Sequence, residues 1–325
     1  MRNGLTALLI GSFLLGCSPG DGSVQRVDSV TIVIPYRPGG GFDRTVRLFA
    51  PFFERHLGGE ISVMPENAAG AGGRLGATKV YRAVPDGSTL GIFNLPGFVL
   101  PEVLGETVDY DLRQLSWIGR LESEDYLLLV AATSGLRTLD DIRVADRVTF
   151  LSTGYGSTVL AASQIVADQL DLQGNAPVFL TGYTGTADSL VALIRGDGNV
   201  ALAPVASAQQ YIESGDLRAL ASTGVTRALA EVATFAELRY PELTPLNVQR
   251  SIAGPPGMDP VVLEEFRTAF LAAATDAEFR RLAQEAGMTL NPTGGDAVVA
   301  EVESSFSYYE KFRSDLTNPN AVDRR

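Results

Sequence analysis

Four times along this chain an apolar run of strand length ends in a glycine-rich turn, and a segment with helical spacing follows. The turns are "PGGG" at 38–41, "GAGG" at 70–73, "GYGS" at 154–157 and "GYTGT" at 182–186. Strands and helices that alternate in this way pack as a mostly parallel sheet, because each helix carries the chain back across a sheet face. In open parallel sheets ligands bind beyond the carboxyl ends of the strands, where these turns fall. The repeated turn therefore constrains fold and site together.

One glycine is enough for a tight turn. Three in succession, Gly39, Gly40 and Gly41, point to a guest that must come close to the main chain. Each following helix opens with unpaired amides and positive partial charge, which can hold a carboxylate without Arg or Lys. The hydroxyls of Ser157, Thr158, Thr181, Thr184 and Thr186 add donors. Asp43 stands where the cap of the first helix is expected. "GAGGRLG" lacks the third glycine of a dinucleotide fingerprint, since Leu75 occupies that place.

Bulk properties narrow the partners. A chain of 325 residues, 45% hydrophobic and 20% charged, suits two α/β domains. A net charge of -12 argues against nucleic acid, which needs a basic surface. It does not argue against a small anion, because local amide dipoles outweigh a distant negative surface. The N-terminus has the form of a signal peptide over residues 1–16, ending in "LLGC". That ending resembles a bacterial lipobox, so Cys17 is expected to carry lipid and residues 17–26 to form a tether. Cys17 is the one cysteine, so no disulfide can form within the chain.

Catalytic and metal chemistry find little support. No GxSxG elbow occurs. The single histidine, His56, sits on a predicted surface helix far from any loop serine, and no His/Cys cluster exists to hold a metal. No cofactor is expected. "ESED" at 122–125 reads as an acidic linker between domains.

Along the chain, strands are expected at 31–34, 61–64, 89–93, 148–151, 200–203 and 217–223. Phe42, Val46, Phe49, Phe53 and Leu57 recur at helical spacing, so 43–56 reads as a helix, with Pro51 expected to kink or end it. Further helices are expected at 75–83 and 186–194, after a Thr138 cap, and from about Pro260. The tail at 296–316 reads as helical, its "FSYYEKF" stripe packing core or domains.

Several motifs then resemble one family together. "TIVIPYRPGGGFD", "ENAAGAGGRLGA", "VPDGSTLGIFN", "GYGS", "YTGTADSLVALIRGD", "YIESGDLRALAST" and "AGPPGMDPVVLEEF" occur in the order seen in substrate receptors of tripartite tricarboxylate transporters, the Bug family of periplasmic binding proteins. The resemblance runs from about 27 to 316. It implies a two-lobed Venus flytrap of the type II periplasmic-binding class, each lobe a mostly parallel sheet flanked by helices. Residues 27–124 and 225–325 would form one lobe and 125–224 the other, with hinges near Asp125 and Gly224.

The resemblance also implies a small carboxylate gripped by one turn from each lobe. Carried over residue by residue, the first turn is Tyr36, Pro38, Gly39, Gly40, Gly41, Phe42 and Asp43, and the second is Gly154, Tyr155, Gly156, Ser157 and Thr158. Asn94 would face the cleft. Tyr183 and Thr184 match a Pro-Tyr-Lys-Gly loop in which Gly182 replaces the Pro and Thr184 the Lys. Ala203 and Pro204 stand where the family often has Asp-Asn, which weighs against an amino-acid ligand. The implied partner is a membrane permease, with the receptor itself a monomer. A sensor that signals through the same cleft is the alternative.

Overall fold

The computed structural model describes residues 27–154, 157–172, 177–317 and 321–323. Cys17, the signal segment, Tyr155 and Gly156 lie outside them. The first half follows the expected alternation. Strand β1 (Ser29–Ile34) leads to α1 (Gly41–His56), β2 (Ser62–Asn67), α2 (Arg74–Tyr81), β3 (Thr89–Leu95) and the short α3 (Leu100–Val103). A long strand, β4 (Ser116–Ala131), then crosses to the second half. There α4 (Leu139–Arg143), β5 (Thr149–Thr153), α5 (Thr158–Gln169), β6 (Val178–Tyr183), α6 (Thr186–Arg195), β7 (Val200–Pro204), α7 (Val205–Glu213) and β8 (Leu217–Ser222) follow. The chain returns through β9 (Asn247–Gly254), α8 (Pro260–Thr275), α9 (Ala277–Glu285), β10 (Leu290–Gly294) and α10 (Gly295–Lys311), and closes with α11 (Arg313–Leu316) and β11 (Ala321–Asp323).

Two lobes result. β2, β1 and β3 pair in parallel, and so do β11, β6, β5 and β7. The crossing strands are antiparallel to their neighbours, because each runs back from the other lobe. β4 is shared: Ser116–Asp125 pair with β9, while Tyr126–Leu129 pair with β7.

Local chemistry accounts for most boundaries. Thr138 makes a full capping box with Asp141 at the start of α4. Asp259 caps α8 just before Pro260 at its first position. Pro51 does not end α1, which runs sixteen residues through it. Phe49, Phe52 and Phe53 are buried on both sides of the proline, and this packing offsets the lost backbone bond. Phe49 sits among Phe53, Phe270 and Phe279 at ring distances of 5.4–5.5 Å. The aromatic stripe of α10 is buried as expected, with Tyr308 donating to the Glu242 carbonyl at 2.8 Å.

Two segments expected in the first lobe lie against the second. After β8 the chain stays with it: Phe235 N–H donates to the Ser222 carbonyl at 2.8 Å, and Val232 joins the cluster around Leu127 and Leu129. At the far end, β11 extends the sheet at β6 and α11 packs on α5. Helical and strand periodicity report burial, not which lobe supplies the partner.

The crossings meet at one point. Asp125 pairs with Asn247, Thr223 N–H donates to the Tyr126 carbonyl at 2.9 Å, and a Cβ on Gly224 would lie 2.2 Å from an Asp125 carboxylate oxygen. Gly224 also has φ +88°, so glycine is required there twice over. Burial, helped by neighbouring Glu124, pushes the Asp125 carboxyl up to about 6.

Two measurements test this account. Phe49→Ala should cost on the order of 3–5 kcal/mol in urea unfolding, the usual range for a lost core phenylalanine. Asp125→Asn should raise the melting temperature at pH 7. An acid with a raised folded pKa destabilises the fold once it ionises, so the gain should vanish below the ordinary carboxylate value near 3.8 and be complete above about 6.

Candidate functional site

The first turn leaves β1 at Pro35 and enters α1 at Gly41. Gly40 is the residue before the helix, extended at φ -76° and ψ 174°, and no side chain caps the amides that follow. Gly41 and Phe42 therefore open the helix with their N–H groups unclaimed by a cap. Asp43 is not the cap expected for it. It lies on the third helical residue and folds back, accepting from Gly39 N–H, Arg47 Nε and Asn67 Nδ2, each at 2.9 Å. Burial raises its pKa, but these hydrogen bonds outweigh burial and hold it below the usual carboxylate value. Asp43 thus braces the turn, and the Gly39 amide is already used. Pro38 and Gly40 are exposed.

Tyr36 packs its ring against Phe42 at 4.7 Å and Phe98 at 6.4 Å. Burial pushes its phenol above the usual range, against the opposing pull of an Asn94 hydrogen bond and the Arg250 charge. Asn94, on β3, lies beside Tyr36, and its Oδ1 is buried with no partner among the described residues.

In the second lobe Ser157 caps α5, its Oγ accepting from Leu160 N–H at 3.2 Å. Thr158 is 8% exposed and shares a hydrogen bond with the Tyr126 hydroxyl at 3.1 Å. Gly154 is exposed and turns the chain by accepting from Ser157 N–H at 3.1 Å. The remaining expected contacts are not gathered here. Tyr183 and Ala203 are buried in the apolar cluster of the second lobe, and the exposed Thr184 hydroxyl bonds to Asp188. Ala203 is fully covered because β7 lies in mid-sheet, paired with both β4 and β5.

Sequence reasoning missed the charge cluster between these groups. Arg250 on β9 pairs through Nη1 with Glu122 at 2.7 Å and reaches Glu124 at 3.6 Å, with side chains 12%, 2% and 4% exposed. "ESED" is therefore no solvated linker. Thr45 donates to Glu122 at 2.7 Å, and the Ala206 N–H at the start of α7 donates to Glu124 at 2.8 Å. Burial holds the Glu122 pKa above the usual carboxylate value, while Arg250 and Thr45 pull it down. Tyr126, next to this cluster, is pushed up to about 12, chiefly by burial. The available signal was the spacing: Glu122 and Glu124 lie two apart in a strand, so they share one face.

Gly41, Arg44, Thr45, Glu122, Glu124 and Arg250 of the first lobe, with Ala206 and Ser207 of the second, line a pocket of about 550 Å³. That is a volume for a small molecule. A depression of about 560 Å³ beside His56 and α8 lies wholly in one lobe and touches neither turn. Among the described residues there is no group of three metal-ligating side chains and no helix long and apolar enough to cross a membrane.

Two α/β lobes joined by shared strands, with the uncapped start of α1 at a pocket lined by both, define the class of two-lobed solute-binding receptors. Within it, residues 46–298 match the tripartite tricarboxylate transporter family receptor, and the chain belongs to that family. It is a receptor, not an enzyme. Protein BugT of Bordetella pertussis is 27% identical over 249 residues, 72% of each chain. A protein encoded between tcbD and tcbE in a Pseudomonas species is 28% identical over 226 residues, 66% of this chain and 65% of its own length. Among solved structures, MatC from Rhodopseudomonas palustris with bound malate superposes with a TM-score of 0.72 at 21% identity, covering 89% of this chain and 98% of MatC. An R. palustris protein with adipate gives 0.72 at 20% identity, covering 89% and 97%.

The bracing role of Asp43 is testable by its pH signature. An acid with a lowered folded pKa adds stability that is complete above its ordinary pKa, near 3.8, and lost as pH falls through the folded value. The stability difference between wild type and Asp43→Asn should therefore be largest at neutral pH and shrink below about pH 4, measured by urea unfolding at a series of pH values.

Proposed function

We propose that this protein captures a small organic carboxylate between its lobes in the periplasm and delivers it to the membrane permease of a tripartite tricarboxylate transporter. The observation that carries the reading is the start of α1, a helix with no side-chain cap, opened by glycines beside a pocket lined by both lobes. Such a helix start favours an anion. Gly40, Gly41 and Phe42 supply the first turn, braced by Asp43 and walled by Tyr36 and Asn94; Gly154, Ser157 and Thr158 supply the second. The malate and adipate held by the two R. palustris neighbours are small dicarboxylates, which supports the ligand class. Asp125, Gly224 and Asn247, where the strands cross, serve as the hinge. The lobes then divide as 27–124 with 247–312, and 125–246 with the tail from Arg313 on. Ligand contacts made only in the closed form shift the receptor toward it. Acylation of Cys17 tethers the receptor to the membrane.

A thermal-shift panel of malate, adipate, citrate, benzoate and glutamate tests the class. A carboxylate at 100 times its dissociation constant should add about 2.7 kcal/mol of stability, and a flat response to every acid would refute the reading. Gly40→Val separates site from fold. Gly40 has an extended backbone that valine accepts, and an added Cβ would meet nothing closer than the Arg37 carbonyl at 3.8 Å. The variant should fold with wild-type stability yet lose carboxylate binding, because the branched side chain covers the amides.

A further inference from the structure

The Arg250 guanidinium is tied down at one end only. Nη1 is held by Glu122 and Glu124. Nε is buried and has no hydrogen-bond partner among the described residues. A buried guanidinium N–H with nothing to bond costs free energy and calls for an explanation. Nη2 points at the first turn: it would lie 2.9 Å from a Cβ on Gly41, with Cζ at 3.7 Å and Nε at 3.9 Å. The guanidinium plane is steadied by Phe42, whose ring centroid lies 5.0 Å from Cζ. The Nε–Nη2 edge of the fork thus lies beside the uncapped amides of α1, with Nη2 leading toward Gly41 and Nε covered behind it, in a residue that lines the pocket between the lobes. That edge has the geometry that accepts a carboxylate through two parallel hydrogen bonds.

We propose that Arg250 is a ligand-binding, specificity-determining residue of this receptor, taking a carboxylate of the ligand through its Nε–Nη2 edge. The inference rests on the carboxylate-receptor reading and adds a charged anchor to it. Glu122 and Glu124, which line the same pocket, hold the guanidinium at Nη1, and both have further partners, Thr45 and the Ala206 amide. Gly41 belongs to the same device, since a Cβ there would lie 2.9 Å from Nη2 and displace the guanidinium. The arrangement selects an anion over a neutral or cationic guest at this end of the pocket. It also links closure to capture, because Glu124 grips the start of α7 in the second lobe while positioning the group that grips the ligand.

The experiment measures adipate and malate binding by isothermal titration in wild type, Arg250→Gln, Arg250→Lys and the triple variant R250M/E122Q/E124Q, which removes every charge of the cluster. The triple variant leaves no buried charge unpaired, so it keeps the test open if Arg250→Gln fails to fold. For whichever acid binds wild type, the dissociation constant should rise about 10- to 100-fold in the triple variant, the size of one charge-assisted pair, with the melting temperature of the unliganded protein kept. Arg250→Lys should recover only part of the loss, since a point charge cannot bond through two parallel N–H groups. A crystal of the complex should show a ligand carboxylate within hydrogen-bond distance of Nε or Nη2. Unchanged affinity in the folded triple variant, or a carboxylate bound away from Arg250, overturns this inference and leaves the receptor reading standing. No binding of either acid, or of any other carboxylate of the panel, to wild type overturns both.

Discussion

A single strand belongs to both sheets, and most of the architecture follows from it. β4 pairs with β9 as far as Asp125 and with β7 from Tyr126 on, and its other side takes β10 in one lobe and β8 in the other, so one run of sixteen residues lies inside both sheets and links them. A strand shared in this way cannot be cut into two independent ladders. Each lobe's hydrogen bonds end where the other's begin, and the remaining crossings are drawn to the same point. There Gly224 touches Asp125 and Asn247 pairs with it. The apolar layer is continuous through this joint, with Trp117 and Phe93 of one lobe and Phe150 and Phe179 of the other in one cluster.

The same strand carries the charges that would be most expensive to misplace. Removing a carboxylate from water costs several kcal/mol after relaxation, and one ion pair recovers it only with good geometry and further hydrogen bonds. Glu122 and Glu124 have both: a shared guanidinium, a threonine hydroxyl and a main-chain amide. Replacing such a cluster by apolar residues would often be neutral or stabilising. Its presence is thus poor evidence for stability and better evidence for position. The groups it positions are Arg250 beside the first turn and the start of α7 across the hinge.

How much of this could be read in the sequence follows from what each signal reports. Alternation of strand and helix was legible because periodicity reports burial locally; α1, α5, α6 and β7 fall within a few residues of their expected places. The Thr138 cap and a helix start near Pro260 were legible because such signals span only a few residues. Pro51 misled, because local propensity cannot weigh three buried phenylalanines. Asp43 misled for a subtler reason: a carboxylate near a helix start can cap from the first position or reach back from the third, and only the turn's path decides. Ala203 was placed in the site by resemblance, yet lies fully buried in mid-sheet. Arg250 and Glu122 are 128 residues apart, and no local pattern joins them.

The chain's net charge of -12 would repel an anion at long range, yet the proposed site relies on attraction. The two are compatible because they act at different distances. Surface charges are screened beyond roughly 8 Å at physiological salt, whereas amides and a guanidinium in a pocket act at contact, where little water intervenes. Net negative charge then sets a condition on the guest: it must meet donors from several directions before binding outweighs its lost hydration. A helix start alone offers one direction. The Arg250 edge offers a second, and the opposite lobe, whose Ala206 and Ser207 line the same pocket, faces the guest from the other side. Only a closed arrangement brings both lobes to bear together, so in a strongly acidic receptor the need to hold an anion is itself a reason for two lobes.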